Sequence, residues 1–550
     1  MGRPKASTTG AHKHTLKDSE RVPVASTKKA TSKDKKSRAA KDTTATEPAV
    51  ISPATSLPAN RRKRSRSEEP TVDDDDNIPS LNKRPRKGRP RKDQAKSRST
   101  KVQEPESIVS SPIINQVPKQ VMAILNFGSG DSGELGLGPK RNEAVRPILN
   151  PFLDPSNPAS HHIVDFACGG MHTIALSSNN KIITWGVNDN EALGRTTDWE
   201  GGLRDVDAES GDDDDNDGLN PFESTPIEIP TECFPSNTRF AQVAAGDSCS
   251  FALTDTGLVY GWGTFRDSQG HDCFGHDPDG KLITKQELPI QIRGIPRITQ
   301  ITCGANHALA LDTTGNTWAW GCNEQNQFGR HLFGRQQDSF VPTQVRVCRN
   351  KAKYIASGPY HSFAIDKQDN VWAWGANSYG EAGDPATAGG DSAILRFPMK
   401  IRDLCQKQVT TLAGGSHHSA AVTATGECYV WGRIDAGQLG IAFTPEQIED
   451  ATHIRRDDRG KPRICLRPAT VPNVEDVVDV ACGADHTLFI TKAGAAYSSG
   501  FGSLGQLGLS SYDDVHVATL IACKSVKERV LTRAGAGGNS SVVAGLANSD

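Results

Sequence analysis

At 550 residues the chain is too long for one single-core domain unless its architecture is repetitive. Its formal charge of −2 hides a division: residues 1–118 carry 27 Lys and Arg against 14 Asp and Glu, and the remainder carries 36 against 51. No apolar run approaches the ~18 residues of a membrane span, the 12 cysteines contain no C-x-x-C pair, and Ala6 stands where a myristoylation signal needs Ser or Thr. The composition thus predicts no membrane partner, no zinc or other metal site and no lipid anchor.

Residues 1–118 are rich in Lys, Arg, Ser, Thr and Pro and poor in aromatics, so they cannot bury enough apolar surface to offset chain entropy. They are predicted to form a disordered basic tail. Within it Arg61, Arg62, Lys63 and Arg64 are separated by the acidic run Asp73–Asp76 from Lys83 and Arg84, which open KRPRKGRPRK. Two basic clusters on a flexible linker read as a nuclear import signal, with an import receptor as partner. Gly88-Arg89-Pro90, flanked by Lys87, Arg91 and Lys92, looks like an AT-hook, an extended Arg-Pro segment for the narrow minor groove of DNA.

From about residue 120 the chain repeats itself. A typical copy reads ITCGANHALALDTTGNTWAWGCNEQNQFG: G-x-x-H, a short apolar run, a turn, a second run ending in Gly, and a glycine-rich loop. The leading glycines are Gly169, Gly246, Gly304, Gly358, Gly415 and Gly483, and 14 residues separate the His position from the second-run Gly in every copy. Runs rich in β-branched and aromatic residues, bounded by turns, predict hairpins, and the copy length allows about four strands. Residues 121–136 form only the second half of a copy and 530–546 only the first half. The expected fold of 119–550 is therefore an all-β, seven-bladed propeller with one blade split between the termini, which removes exposed sheet edges. Two stretches, about 195–238 (with Asp212–Asp215) and 441–476, read as tolerated surface inserts.

Because antiparallel strands reverse at each connection, the G-x-x-H segments and the glycine-rich loops are expected around one end of the central channel. Asp247, Asn306, Tyr360, His417 and Asp485 fall within the G-x-x-H ring. The repeated His172, His307, His361, His418 and His486 are spread around a ring rather than converging, which marks them as structural hydrogen-bonders. Cys168, Cys303 and Cys482 recur just before Gly and read as small buried apolar residues. One copy departs: Gly263 and Gly275 in GWGTFRDSQGHDCFG stand twelve apart where the other copies have eight. No phosphate loop, nucleophile elbow or H-E-x-x-H motif occurs, so the sequence predicts a partner-binding surface without cofactor or bond chemistry.

The repeats resemble the regulator of chromosome condensation family over nearly all of 120–546, and GWGTFRDSQG is similar to the segment that family uses as a β-wedge. The resemblance implies a chromatin-bound nuclear exchange factor for the small GTPase Ran, with Phe265, Arg266 and Asp267 projecting toward the GTPase. Asp131, Asp247 and His417 match positions the family uses for GTPase contact or exchange, and Arg330 matches another. Asn306 departs, since the family pattern has Asp there. HLFGRQQ resembles a loop that offers an arginine, here Arg335, to the histone acidic patch of the nucleosome. The alternative is a chromatin-binding scaffold without exchange activity.

Overall fold

The computed structural model describes residues 112–200, 218–277, 279–330, 339–348, 351–390 and 393–547. The 14-residue interval of the sequence has a direct cause in hairpin register. In the sheet Ile298–Cys303, His307–Asp312, Thr317–Gly321 and Thr343–Val345, the strands pair antiparallel in chain order, and His307 faces Gly321. Likewise His172 faces Gly186, Cys249 Gly263, His361 Gly375, His418 Gly432 and His486 Gly500. The glycines are required. At Gly263, with φ of 89°, a Cβ would stand 2.2 Å from the Ser248 carbonyl oxygen.

Each second strand is buried along its length, as in His361–Asp366 and His486–Thr491, because its two faces pack against the sheets on either side. The first strands each carry a β-bulge, which turns one side chain toward the neighbouring sheet. Gln300 uses that position to donate to the Ile355 carbonyl at 2.9 Å and accept from the Ile355 amide at 3.0 Å. Gln242 makes the same pair of bonds to Ile301. Asp165 accepts from the Val243 amide at 3.0 Å and Asp479 from the Ala534 amide at 2.9 Å. Arg533 donates to the Phe166 carbonyl at 2.8 Å and pairs with Asp165.

The repeated histidines lace the sheets a second time. His361 Nε2 bonds Ser419 Oγ of the next sheet at 2.9 Å, and that hydroxyl donates to the Glu381 carbonyl at 2.9 Å, which also accepts from Trp431. His172, His307, His418 and His486 repeat the arrangement with Ser250, Ser362, Thr487 and Ser541. Since the hydroxyl donates onward, Nε2 carries the proton, and burial keeps the ring neutral. Burial pushes these imidazoles down, to about 4 for His172 and about 3 for His361.

The chain ends meet in one sheet. Met122–Ser129 pairs antiparallel with Ser540–Leu546, from Met122–Leu546 to Gly128–Ser540, with Leu531–Ala536 beyond one side and Glu143–Leu149 on the other. Residues 112–118, counted with the tail on composition, touch this body. Asn115 is 8 % exposed and donates to the Thr254 and Ile298 carbonyls at 2.8 and 2.9 Å.

Both expected inserts hold sheet strands. Ile227–Glu228 pairs with Ile183 and Thr184, so the first stretch contains a fourth strand; Asp212–Asp215 lie outside the described residues. The second, read as a tolerated loop, is a built hairpin. Ile454–Arg456 pairs with Pro462–Thr470, which also forms the fourth strand beside Cys428–Arg433. The apolar residues Ile454, Ile464 and Leu466, each 2 % exposed, supply the burial that an ordinary loop lacks.

Candidate functional site

The loops entering the second strands, among them Gly169, Gly246, Gly304, Gly358, Gly483 and Gly537, line one cavity of about 760 Å³. Backbone amides tie these loops together: Gly538 donates to Gly170 at 2.8 Å, Gly170 to Gly246 at 3.2 Å, and Asp247 to Ala305 at 2.9 Å. The rim is thus fixed by main chain, and its side chains are left for recognition. Met171 and Tyr360, 42 % and 39 % exposed, present apolar surface there. Cys168, Cys303 and Cys482, expected to be buried, instead stand on the cavity wall and are partly exposed, because the inner strands that carry them face the channel. Their thiols are still recessed: burial pushes Cys168 to about 11 and Cys482 to about 12.

Residues 264–285 do not contain a simple four-residue insertion. Gly275 lies in a short strand, Gly275–His276, and lacks the positive φ of the tight-turn glycines Gly194, Gly329 and Gly508. The loop forms two small ribbons, Phe265–Arg266 with Asp272–Cys273 and Gly275–His276 with Leu282–Ile283. Phe265, expected to contact a partner, is fully buried and packs on Phe251, Phe274 and Phe340 at 6.1–6.2 Å between ring centroids. Its role is to root the loop. Asp267 also turns inward. Its carboxylate is 9 % exposed and accepts from the amides of Gln269 and His271 and from His271 Nδ1 at 2.8–3.0 Å. Burial raises this carboxyl, but the His271 and Gln269 bonds outweigh it and hold it below the usual range.

Arg266 is an exposed cation at the base of the loop. Its guanidinium bonds Asp272 at 2.9 Å and Asn190 at 3.0 Å, and its amide donates to Asn306 Oδ1 at 2.7 Å. Asn306 is therefore tied to the loop, a position where a carboxylate would accept the same bond. Glu324 pins the tip through the Ser268 amide and hydroxyl at 2.9 and 2.7 Å. The tip, Ser268–His271, is solvent-exposed, and the sequence reading named none of its residues individually. Asp247 shares the cavity wall with Arg266; its side chain is open to the cavity, but the surrounding wall raises its carboxyl by desolvation.

The other expected residues sit around the same face. Asp131, exposed in the loop after Met122–Ser129, accepts from Ser129 and Asn142 at 3.2 Å. Arg330 is half-buried, and its carbonyl accepts from Asn323 at 3.2 Å. His417 stacks on Tyr379 at 4.5 Å between ring centroids. Arg335 and the tail residues, including Arg61–Arg64, Lys83, Arg84 and Lys87–Lys92, lie outside the described residues.

Residues 123–543 match the RCC1-like domain. The chain belongs to that family. The guanine nucleotide exchange factor SRM1 of Saccharomyces cerevisiae is 36 % identical over 438 residues, covering 78 % of this chain and 89 % of SRM1. Among solved structures, Prp20p of the same yeast, studied for its binding to Gsp1p and histones, superposes with a TM-score of 0.69 at 34 % identity, covering 79 % of this chain and 94 % of that one. Yeast RCC1 (Prp20) bound to Kap60 gives 0.70 at 33 % identity, covering 83 % and 97 %. The RCC1-like chain thus shares an all-β propeller-like fold with proteins solved by experiment.

Proposed function

We propose that this RCC1-like protein is a chromatin-bound guanine-nucleotide exchange factor for a Ran-type small GTPase. The observation that carries the reading is the rooted 264–285 loop, which presents Arg266 and an exposed tip beside Asp247 at the mouth of the channel. Exchange makes and breaks no covalent bond, so the protein is a regulator rather than a catalyst of bond chemistry. It must bind the nucleotide-free GTPase better than the loaded form, and linkage then weakens nucleotide by the same factor. A loop held by Glu324, Asn190, Asn306 and Asp272 loses little further freedom on binding, so its contact energy is spent on the partner.

We read the fold as seven blades, one divided between the termini, which is supported by the pairing of Met122–Ser129 with Ser540–Leu546. Asp131, Asp247, Arg266, Asn306, Arg330 and His417 are the proposed contact residues. The acidic body suits a basic GTPase surface and predicts an association rate that falls with salt. The tail supplies nuclear import through a receptor and attachment to DNA, with Arg335 for the histone surface.

The test is release of fluorescent GDP from Ran with catalytic amounts of the protein. Substoichiometric acceleration is expected, and Arg266→Ala should reduce it about tenfold or more, the scale of a lost charge-assisted contact, at unchanged thermal stability. A folded protein that gives no acceleration leaves the chromatin-binding scaffold as the function.

A further inference from the structure

We infer that the hairpin of Ile454–Arg456 and Pro462–Thr470 is a positioning arm for His417, acting through Arg463 and Tyr379. The inference rests on reading this face as the GTPase-binding one. The hairpin rises between the third and fourth strands of its sheet, in the same set of loops as residues 264–285. It is firmly seated: Ile464 and Leu466 pack with Ala388 against Tyr379, and Arg455 donates to the Pro385 carbonyl at 3.1 Å and to that of Ala388.

Arg463 then holds the tyrosine. Its guanidinium donates to Tyr379 Oη at 2.7 Å and stands 4.9 Å from the ring centroid. His417 lies against the same ring at 4.5 Å with an interplanar angle of 42°. His417 Nδ1 is buried without a partner, and no hydrogen bond to a described residue fixes the imidazole. Contact with Tyr379 is therefore what orients it. Arg433 approaches the tyrosine at 5.5 Å but is committed to Asp435 and to Asp485 at 3.2 Å, which leaves Arg463 as the cation that reaches the hydroxyl.

The charges around His417 give a readout that a merely structural role would not move. Burial and the cations Arg433 and Arg463 push its imidazole below the usual value, while Asp485 and Asp435 oppose them; the adjacent His418 is buried and neutral. Removing Arg463 removes one of the depressing charges, so the His417 titration midpoint moves up.

The experiment is histidine NMR on the full chain, with the His417 signal assigned by His417→Gln, combined with GDP release. In Arg463→Ala the His417 midpoint rises and its ring-current shift from Tyr379 diminishes. Arg463→Lys keeps the charge but not the planar stack, so the midpoint stays while the ring-current shift diminishes. Tyr379→Phe, which deletes only the acceptor, reproduces the lost ring-current effect. Arg459→Ala, at the exposed hairpin tip, alters neither. Release by Arg463→Ala falls about two- to fivefold in kcat/KM, the size of an exposed cation–π contact. An unmoved His417 signal in Arg463→Ala overturns the inference, as does a moved signal with unchanged release. If the wild type fails to accelerate release, the exchange reading fails, and the NMR comparison alone decides the positioning role.

Discussion

Individual histidines set the acid limit of this protein. In His172, His307, His361, His418 and His486 the folded-state imidazole is pushed from 6.5 to about 3 or 4, so below pH 6.5 the unfolded chain takes up protons that the native rings refuse. The contribution is complete above 6.5 and declines on acidification until the native rings themselves titrate. Each ring contributes at most about 1.4 kcal/mol per pH unit. Buried Glu381, raised to about 7, and Asp479, raised to about 6, act in the opposite sense, since their native forms bind protons first. Five histidines outweigh two carboxyls. The urea midpoint should fall between pH 7 and pH 5, and His361→Gln, which can still donate to Ser419, should lessen the fall; a midpoint that rises would contradict the account. The structural role of these histidines was legible in their spacing. Their partners were not, because Ser250, Ser362, Ser419, Thr487 and Ser541 belong to the following copy and look like ordinary strand residues.

Among the elements, the 264–285 loop shows why a motif can be placed correctly and still be misassigned atom by atom. The sequence marks where the repeat is broken, but alternation along the short strand Phe265–Arg266 decides which side chain faces out. Phe265 faces in, onto three phenylalanines, and Asp267 closes the turn around Gly270, whose φ is 84°. Phe265→Ala should therefore cost about 3–5 kcal/mol and abolish exchange indirectly. Gln269→Ala, at the exposed tip, should leave the thermal midpoint unchanged and lower kcat/KM for GDP release, whereas His271→Ala, which also removes a bond to Asp267, should lower both. Equal loss of stability in Gln269→Ala would show that the tip, too, is scaffold. The same limit explains the 441–476 stretch. Its charged turn, DDRGK, gave it the composition of a surface loop, and the buried Ile454, Ile464 and Leu466 that make it a hairpin are too widely spaced to advertise a strand pair.

For the whole molecule, the sheets are joined by side chains at repeated bulges, and the Arg533–Asp165 pair is the link that carries this lacing from the last first-strand back to the first complete copy. Removing one member of a buried pair costs about 3–5 kcal/mol. The loss here should be smaller, because the Arg533 side chain is 39 % exposed. Arg533→Met is expected to lower the unfolding midpoint and raise hydrogen exchange at the Phe166 and Val243 amides before the rest of the body. Uniform exchange across all sheets would show that the link is not a local weak point. The half-repeats at 121–136 and 530–546 pointed to a pairing between these stretches, and Met122–Ser129 does pair with Ser540–Leu546. The bulge side chains that join the sheets were not visible in advance, since the shared position holds Gln242 and Gln300 in two copies, Asp165 and Asp479 in two others and Arg533 in the last.

The terminal sheet carries a further consequence, one that concerns the ribosome. Met122–Ser129 leaves the ribosome more than 400 residues before its partner Ser540–Leu546. Until then the strand MAILNFGS can pair on one edge with Glu143–Leu149, while its other edge waits with open amides. Loss of Ser540–Leu546 alone would leave that edge of the sheet open, whatever the state of the other sheets.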